Sequence, residues 1–84
     1  MVVITARTDL APLTGVRVRI QNTVRGERFT RYGVFTELWH SDGARTGMGP
    51  HAGGYLTEEP HGSCRGGNTA FCLDYNDSTV EVAR

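Results

Sequence analysis

The chain has 84 residues, and its nine arginines balance nine acidic side chains at zero net charge. A single domain of this size buries only about 60% of the surface its unfolded chain exposes, so the core is marginal and a second stabilising device is expected. No run approaches the roughly 18 apolar residues that cross a bilayer, and Met1-Val2-Val3-Ile4 lacks the basic lead of a secretory signal. The expectation is a protein with no membrane partner, made without export, in a host cytoplasm or a virion.

The elements read mostly with a period of two. Val2–Ala6 is a short strand candidate that ends at Asp9-Leu10-Ala11-Pro12-Leu13, since proline cannot donate in a ladder. Val16–Gln21 is the clearest strand, with Val16, Val18 and Ile20 on one face and Arg17, Arg19 and Gln21 on the other. Asn22–Gly26 supplies a turn. Residues 28–40 are rich in aromatic and β-branched types. Val34–His40 fits a helical stripe as well, but no N-cap stands before Val34, so strand is preferred. A bend at Gly33 then places Val34, Thr36 and Leu38 on one face and Phe35, Glu37 and Trp39 on the other. Phe35 and Trp39 read as core, with Trp39 moving to an interface only if the pair stands opposite Val34 and Leu38.

Residues 43–67 hold eight of the eleven glycines, two of the three prolines and two of the three histidines, with only Met48, Tyr55 and Leu56 as large apolar residues. Such a stretch reads as a long glycine-rich loop or arm, far beyond the usual connection of about 4–6 residues. Beyond it, Phe71, Leu73 and Tyr75 alternate with Ala70, Cys72 and Asp74. Asn76-Asp77-Ser78 then turns the chain into Thr79–Ala83, which reads as a C-terminal hairpin. The expected fold is all-β: a small antiparallel barrel or sandwich of five or six short strands in one domain, with 43–67 as its arm. Val16, Val18, Ile20, Leu38, Phe71, Leu73, Val80 and Val82 are the expected core.

Charge is uneven along the chain. Residues 1–35 carry six arginines against two acids, and residues 36–84 carry three arginines against seven. The two halves can complement each other within one fold, or the acidic part of one copy can meet the basic part of the next. Because arginine offers a fork suited to carboxylate or phosphate, Arg17, Arg19, Arg28 and Arg31 are candidate interface residues. Tyr55 and Leu56 are the candidate apolar anchors of the arm.

Five residues carry chemistry at the ligand level: His40, His51, His61, Cys64 and Cys72. His61-x-x-Cys64 has a spacing zinc accepts, which makes His51, His61 and Cys64 weak metal candidates. Cys64 and Cys72 either form a disulfide across a short loop or stay as free thiols in a reducing compartment, and the spacing leaves both open. His40 with Asp42, and His61 with Glu58 or Glu59, are the only acid–base pairs near each other in sequence. Nucleophile-elbow, Walker and zincin motifs are absent, and Gly47-Met48-Gly49 is followed by Pro50-His51-Ala52, which breaks a phosphate-cradle spacing.

No enzymatic activity and no cofactor are therefore expected. The leading expectation is a structural or interaction subunit with protein partners in a homo- or hetero-oligomeric assembly, such as a decoration or cement protein of a virus or phage particle. The alternatives are a small regulatory or inhibitor protein that binds one partner, and a nucleic-acid-binding barrel using its arginines with Phe29 and Tyr32 for stacking. Nucleic acid is less favoured, because zero net charge weakens attraction to phosphate.

Overall fold

The computed structural model describes residues 1–45, 47 and 49–83; Thr46, Met48 and Arg84 lie outside the described residues. The strands are β1 (Val2–Val3), β2 (Arg17–Val24), β3 (Glu27–Ser41), β4 (His51–Glu58), β5 (Gly67–Leu73) and β6 (Thr79–Val82), with one 3-10 turn at Ala11–Leu13. They form one antiparallel sheet in the order β1-β6-β2-β3-β4-β5. Residues 34–40 are strand, as preferred from their composition.

β2 and β3 make a hairpin whose connecting residues, Arg25 and Gly26, both take positive φ. That geometry suits a two-residue turn between right-twisted strands. Along β2, Val18, Ile20 and Asn22 are buried on one face while Arg17, Arg19 and Gln21 are not. The inner face continues through Phe35, Ala52, Leu56, Leu73 and Val80, joined by Ile4, Leu10 and Leu13 from the N-terminal segment. Of the expected core, Val18, Ile20, Leu73 and Val80 are buried and Val16, Leu38 and Phe71 pack against them. Val82 shares the inner face by register with Val18 but stays exposed near the chain end.

Three expectations about the course of the sheet are corrected first. The 43–67 stretch is not one loop, because β4 runs through its middle and is paired on both sides, with β3 and with β5. The C-terminal hairpin does not form: β5 pairs with β4, whereas β6 pairs with β2 and β1. The sheet is curled but not closed into a barrel, and β5 and β1 are its edges.

The curl follows from the connection. Only Asp74–Ser78 join β5 at one edge to β6 near the other, so the edges must approach each other. Side chains and loop backbone stitch this seam in place of a ladder. Asn22 Nδ2 donates to the Cys72 carbonyl at 3.1 Å, and Ser78 Oγ donates to Asn22 Oδ1 at 2.7 Å. Ile4 N donates to the Ser78 carbonyl, and Asn76 N donates to that of Ile4. Asn22 and Ser78 are both buried, so these bonds satisfy groups that would otherwise be costly to bury.

The bend in the long strand lies at Thr36, not at Gly33. Phe35 pairs with Leu56 and Glu37 with Tyr55, leaving Thr36 as the extra residue of a bulge. Its hydroxyl donates to the Tyr55 carbonyl at 3.2 Å. The bulge resets the facing of the rest of β3: Phe35 is fully buried, while Trp39, four residues on, stands outside opposite Gly53.

Candidate functional site

The outer face of β3, β4 and β5 carries the most prominent exposed aromatic pair. Glu37 and Trp39 of β3 oppose Tyr55 and Gly53 of β4, which in turn oppose Ala70 and Cys72 of β5. Directly opposed residues point to one face, so these six side-chain positions form a patch. Trp39 and Tyr55 are 43% and 48% exposed, with ring centroids 5.8 Å apart. The Trp39 ring lies above Gly53, where a Cβ would stand 3.4 Å from Nε1. Small neighbours thus leave the aromatic pair uncovered.

Of the two expected anchors, Tyr55 is exposed, whereas Leu56 is not. It is fully buried against Phe35 on the inner face, because successive residues of a strand point to opposite sides. Trp39 is the exposed aromatic that sequence reasoning assigns to core. Only the bulge, invisible in the hydrophobic pattern, separates it from Phe35.

The four arginines proposed as interface residues are each paired within the chain. Arg17 meets Glu59 through Nε and Nη2 at 2.5 and 3.0 Å, and Arg19 meets Glu81 at 3.0 Å. Arg28 donates to the Asp77 carbonyl at 2.8 Å and lies 3.4 Å from its carboxylate. Arg31 Nη1 donates to both oxygens of Glu58 at 2.9 Å. Every pair joins the basic first part of the chain to the acidic second part, so the uneven charge is complemented inside one fold. The Arg17 fork holds the Glu59 carboxyl below the usual carboxylate range, chiefly through the hydrogen bond.

The Arg31–Glu58 pair differs from the other three. Glu58 is buried on the inner face with its side chain 5% exposed, and the Arg31 guanidinium lies 6.0 Å from the Phe71 ring centroid. Around it the curled sheet leaves a cleft of about 390 Å³ lined by residues that include Val24, Phe29, Arg31, Thr69 and Phe71.

The chemistry-bearing residues fall into separate places. His61 and Cys64 exchange both backbone hydrogen bonds, at 3.1 and 2.8 Å, across a turn of Gly62 and Ser63, and their ligand atoms lie within 4.8 Å of each other and of Glu58. His51 is at the far end of β4, seven residues and about 23 Å of strand from Glu58. Its Nδ1 donates to the Gly49 carbonyl at 2.9 Å. Of the three weak metal candidates, the fold brings His61 and Cys64 together beside Glu58 and leaves His51 apart.

Cys64 and Cys72 are free thiols. Cys72 pairs with Gly53, five residues along β5 from Gly67, and that run alone spans about 16 Å. Cys64 lies on the other side of Gly67, whereas a disulfide needs Cα atoms within about 7 Å. His40 does not pair with Asp42. Its Nε2 donates to the Thr8 carbonyl at 2.8 Å and its Nδ1 meets the Tyr75 hydroxyl at 2.6 Å, so it ties β3 to the N-terminal segment.

Neither protein-family models, nor curated proteins, nor solved structures give a match to this chain.

Proposed function

We propose that the chain is a non-enzymatic interaction subunit of a larger protein assembly, and that it binds its partner through the outer face of β3 and β4 with Trp39 and Tyr55 as anchors. The observation that carries this reading is the exposed, mutually packed pair above Gly53. Large aromatic rings that give up water on contact supply much of the energy of protein interfaces, and truncating such an anchor costs about 2 kcal/mol or more. Gly53 and Ala70 let a partner's side chains approach the rings from the side. Self-assembly through opposite charges is a weaker version of the same reading, since Arg17, Arg19, Arg28 and Arg31 already have partners in the chain. The same pairing weakens the nucleic-acid alternative, because a guanidinium held by a carboxylate releases little counterion on meeting phosphate.

The test compares the wild-type chain with Trp39→Ala and Tyr55→Ala by native mass measurement, both in extracts of its source and as purified protein. The wild type should run in a larger complex and the variants as monomers of unchanged fold. A wild-type chain that is monomeric in both settings would overturn the proposal. Tight, salt-sensitive binding of single-stranded oligonucleotides would favour the nucleic-acid reading instead.

A further inference from the structure

We infer that Glu58, His61 and Cys64 form a site for one zinc-class divalent cation, at the end of the inner cleft and independent of the outer aromatic face. The three residues converge for structural reasons. Glu58 is the last residue of β4, and the backbone continues its pairing with β3 through Glu59 N, which donates to the Tyr32 carbonyl at 2.7 Å. The chain then doubles back at Gly62-Ser63, so that His61 and Cys64 face each other across a two-residue hairpin turn. Opposed residues of such a hairpin present their side chains on one face.

The surroundings prepare the donors. His61 Nδ1 donates to the Glu59 carbonyl at 3.0 Å, which fixes the neutral ring as the tautomer with its lone pair on Nε2. The Tyr32 ring meets the His61 ring edge to face at 5.7 Å and limits its rotation. Gly66 N donates to Cys64 Sγ at 3.4 Å, which orients the sulfur within the turn. Gly66 has φ +78°, and a Cβ there would come within 2.7 Å of the Glu58 carbonyl and 2.9 Å of the Pro60 ring. The turn that carries Cys64 is therefore packed directly on the end of the strand that carries Glu58.

Chemistry selects the ion. A thiolate, an imidazole and a carboxylate suit zinc, or cobalt as its probe, better than the hard cations that take oxygen alone. Tetrahedral zinc bonds of about 2.0–2.3 Å separate ligand atoms by roughly 3.3–3.8 Å, so the three residues, whose ligand atoms lie within 4.8 Å of one another, must draw closer to hold one ion. With the thiol proton lost to solvent, the two anionic ligands balance the divalent charge. Arg31 can keep one Glu58 oxygen while the metal takes the other. Three protein ligands leave a fourth position, which a cleft of about 340 Å³ lined by Phe29, Arg31, His61 and Cys64 opens to water or to a donor from another molecule.

Cobalt and zinc titration of chelator-treated, full-length chain tests the site. The expected result is one equivalent of Co²⁺ with a thiolate-to-cobalt charge-transfer absorption, displaced by Zn²⁺. Cys64→Ser should abolish that absorption, and both Cys64→Ser and His61→Asn should weaken binding roughly a hundredfold or more, while His51→Ala leaves it unchanged. The Cys64 and His61 changes lie in the turn, and circular dichroism reports whether each variant stays folded. Absence of stoichiometric binding by the wild type would overturn the proposal, as would binding and absorption that persist in Cys64→Ser.

Discussion

The two faces of β4 are built from neighbouring residues and serve opposite ends. Ala52, Gly54, Leu56 and Glu58 point inward and are buried, whereas Tyr55 and Thr57 point outward and are exposed. Leu56 and Tyr55 are similarly apolar by composition, yet one closes the core and the other is left to solvent. Apolar content alone thus does not separate buried from exposed positions in a strand; the alternation of successive side chains does.

The largest effects should come from the inner face. Val18→Asp places a carboxylate in a fully buried position without a partner, at a cost of several kcal/mol against a total of roughly 5–15 kcal/mol, and should leave the chain unfolded by circular dichroism. Leu56→Ala removes a fully buried side chain and should lower unfolding free energy by about 2–5 kcal/mol in urea titration. A folded, soluble Val18→Asp variant would break the assignment of the two faces.

Gly54 and Gly53 sharpen the comparison within one dipeptide. The bulge at Thr36 brings the Glu37 carbonyl onto the position a Cβ of Gly54 would occupy, so Gly54→Ala should cost about 1–3 kcal/mol or more as β3 and β4 are forced apart. Gly53→Ala meets only the Trp39 ring at 3.4 Å, and its effect on stability should stay within about 0.5 kcal/mol. Equal losses at both positions in thermal unfolding would contradict the described approach of β3 to β4.

The smallest effects belong to the exposed ion pairs. Arg17→Glu with Arg19→Glu sets like charges against Glu59 and Glu81, so melting should fall slightly, and added salt should erase most of the difference. The Glu59 carboxyl is held below its usual range when folded. The stability it lends is thus fully present above pH of about 4–5 and is lost as pH falls through the lowered folded value. Glu59→Gln should flatten that acid limb of the stability profile and change little near neutrality. An unaltered acid limb in this variant would show that the pair contributes nothing in solution.

The legible parts of the fold are those where local pattern and final environment agree. Val18 and Ile20 alternate with arginines in β2, and the structure buries the first set and leaves the second outside. β4 is hidden because glycine is depleted in strands, and Gly53-Gly54 read as loop although Tyr55 and Thr57 are strand formers. Gly54 serves a close backbone approach and Gly53 lies under a tryptophan, two contacts that depend on β3. The exchange of a C-terminal hairpin for the β2–β6 pairing is likewise non-local, since the seam that holds Asp74–Ser78 is made by Asn22 and Ile4. Within the candidate sites, the His61-x-x-Cys64 spacing is readable in the sequence. Glu58 as their neighbour requires the hairpin geometry.

The most direct measurement pairs binding with stability in one variant. For Tyr55→Ala, the native mass of the chain's complex and its melting temperature are to be determined side by side with the wild type. An outer-face anchor predicts loss of the complex, by about 2 kcal/mol or more in affinity, with melting nearly unchanged. A complex that survives intact while melting falls sharply would place Tyr55 in the structural support of its own domain and contradict the account.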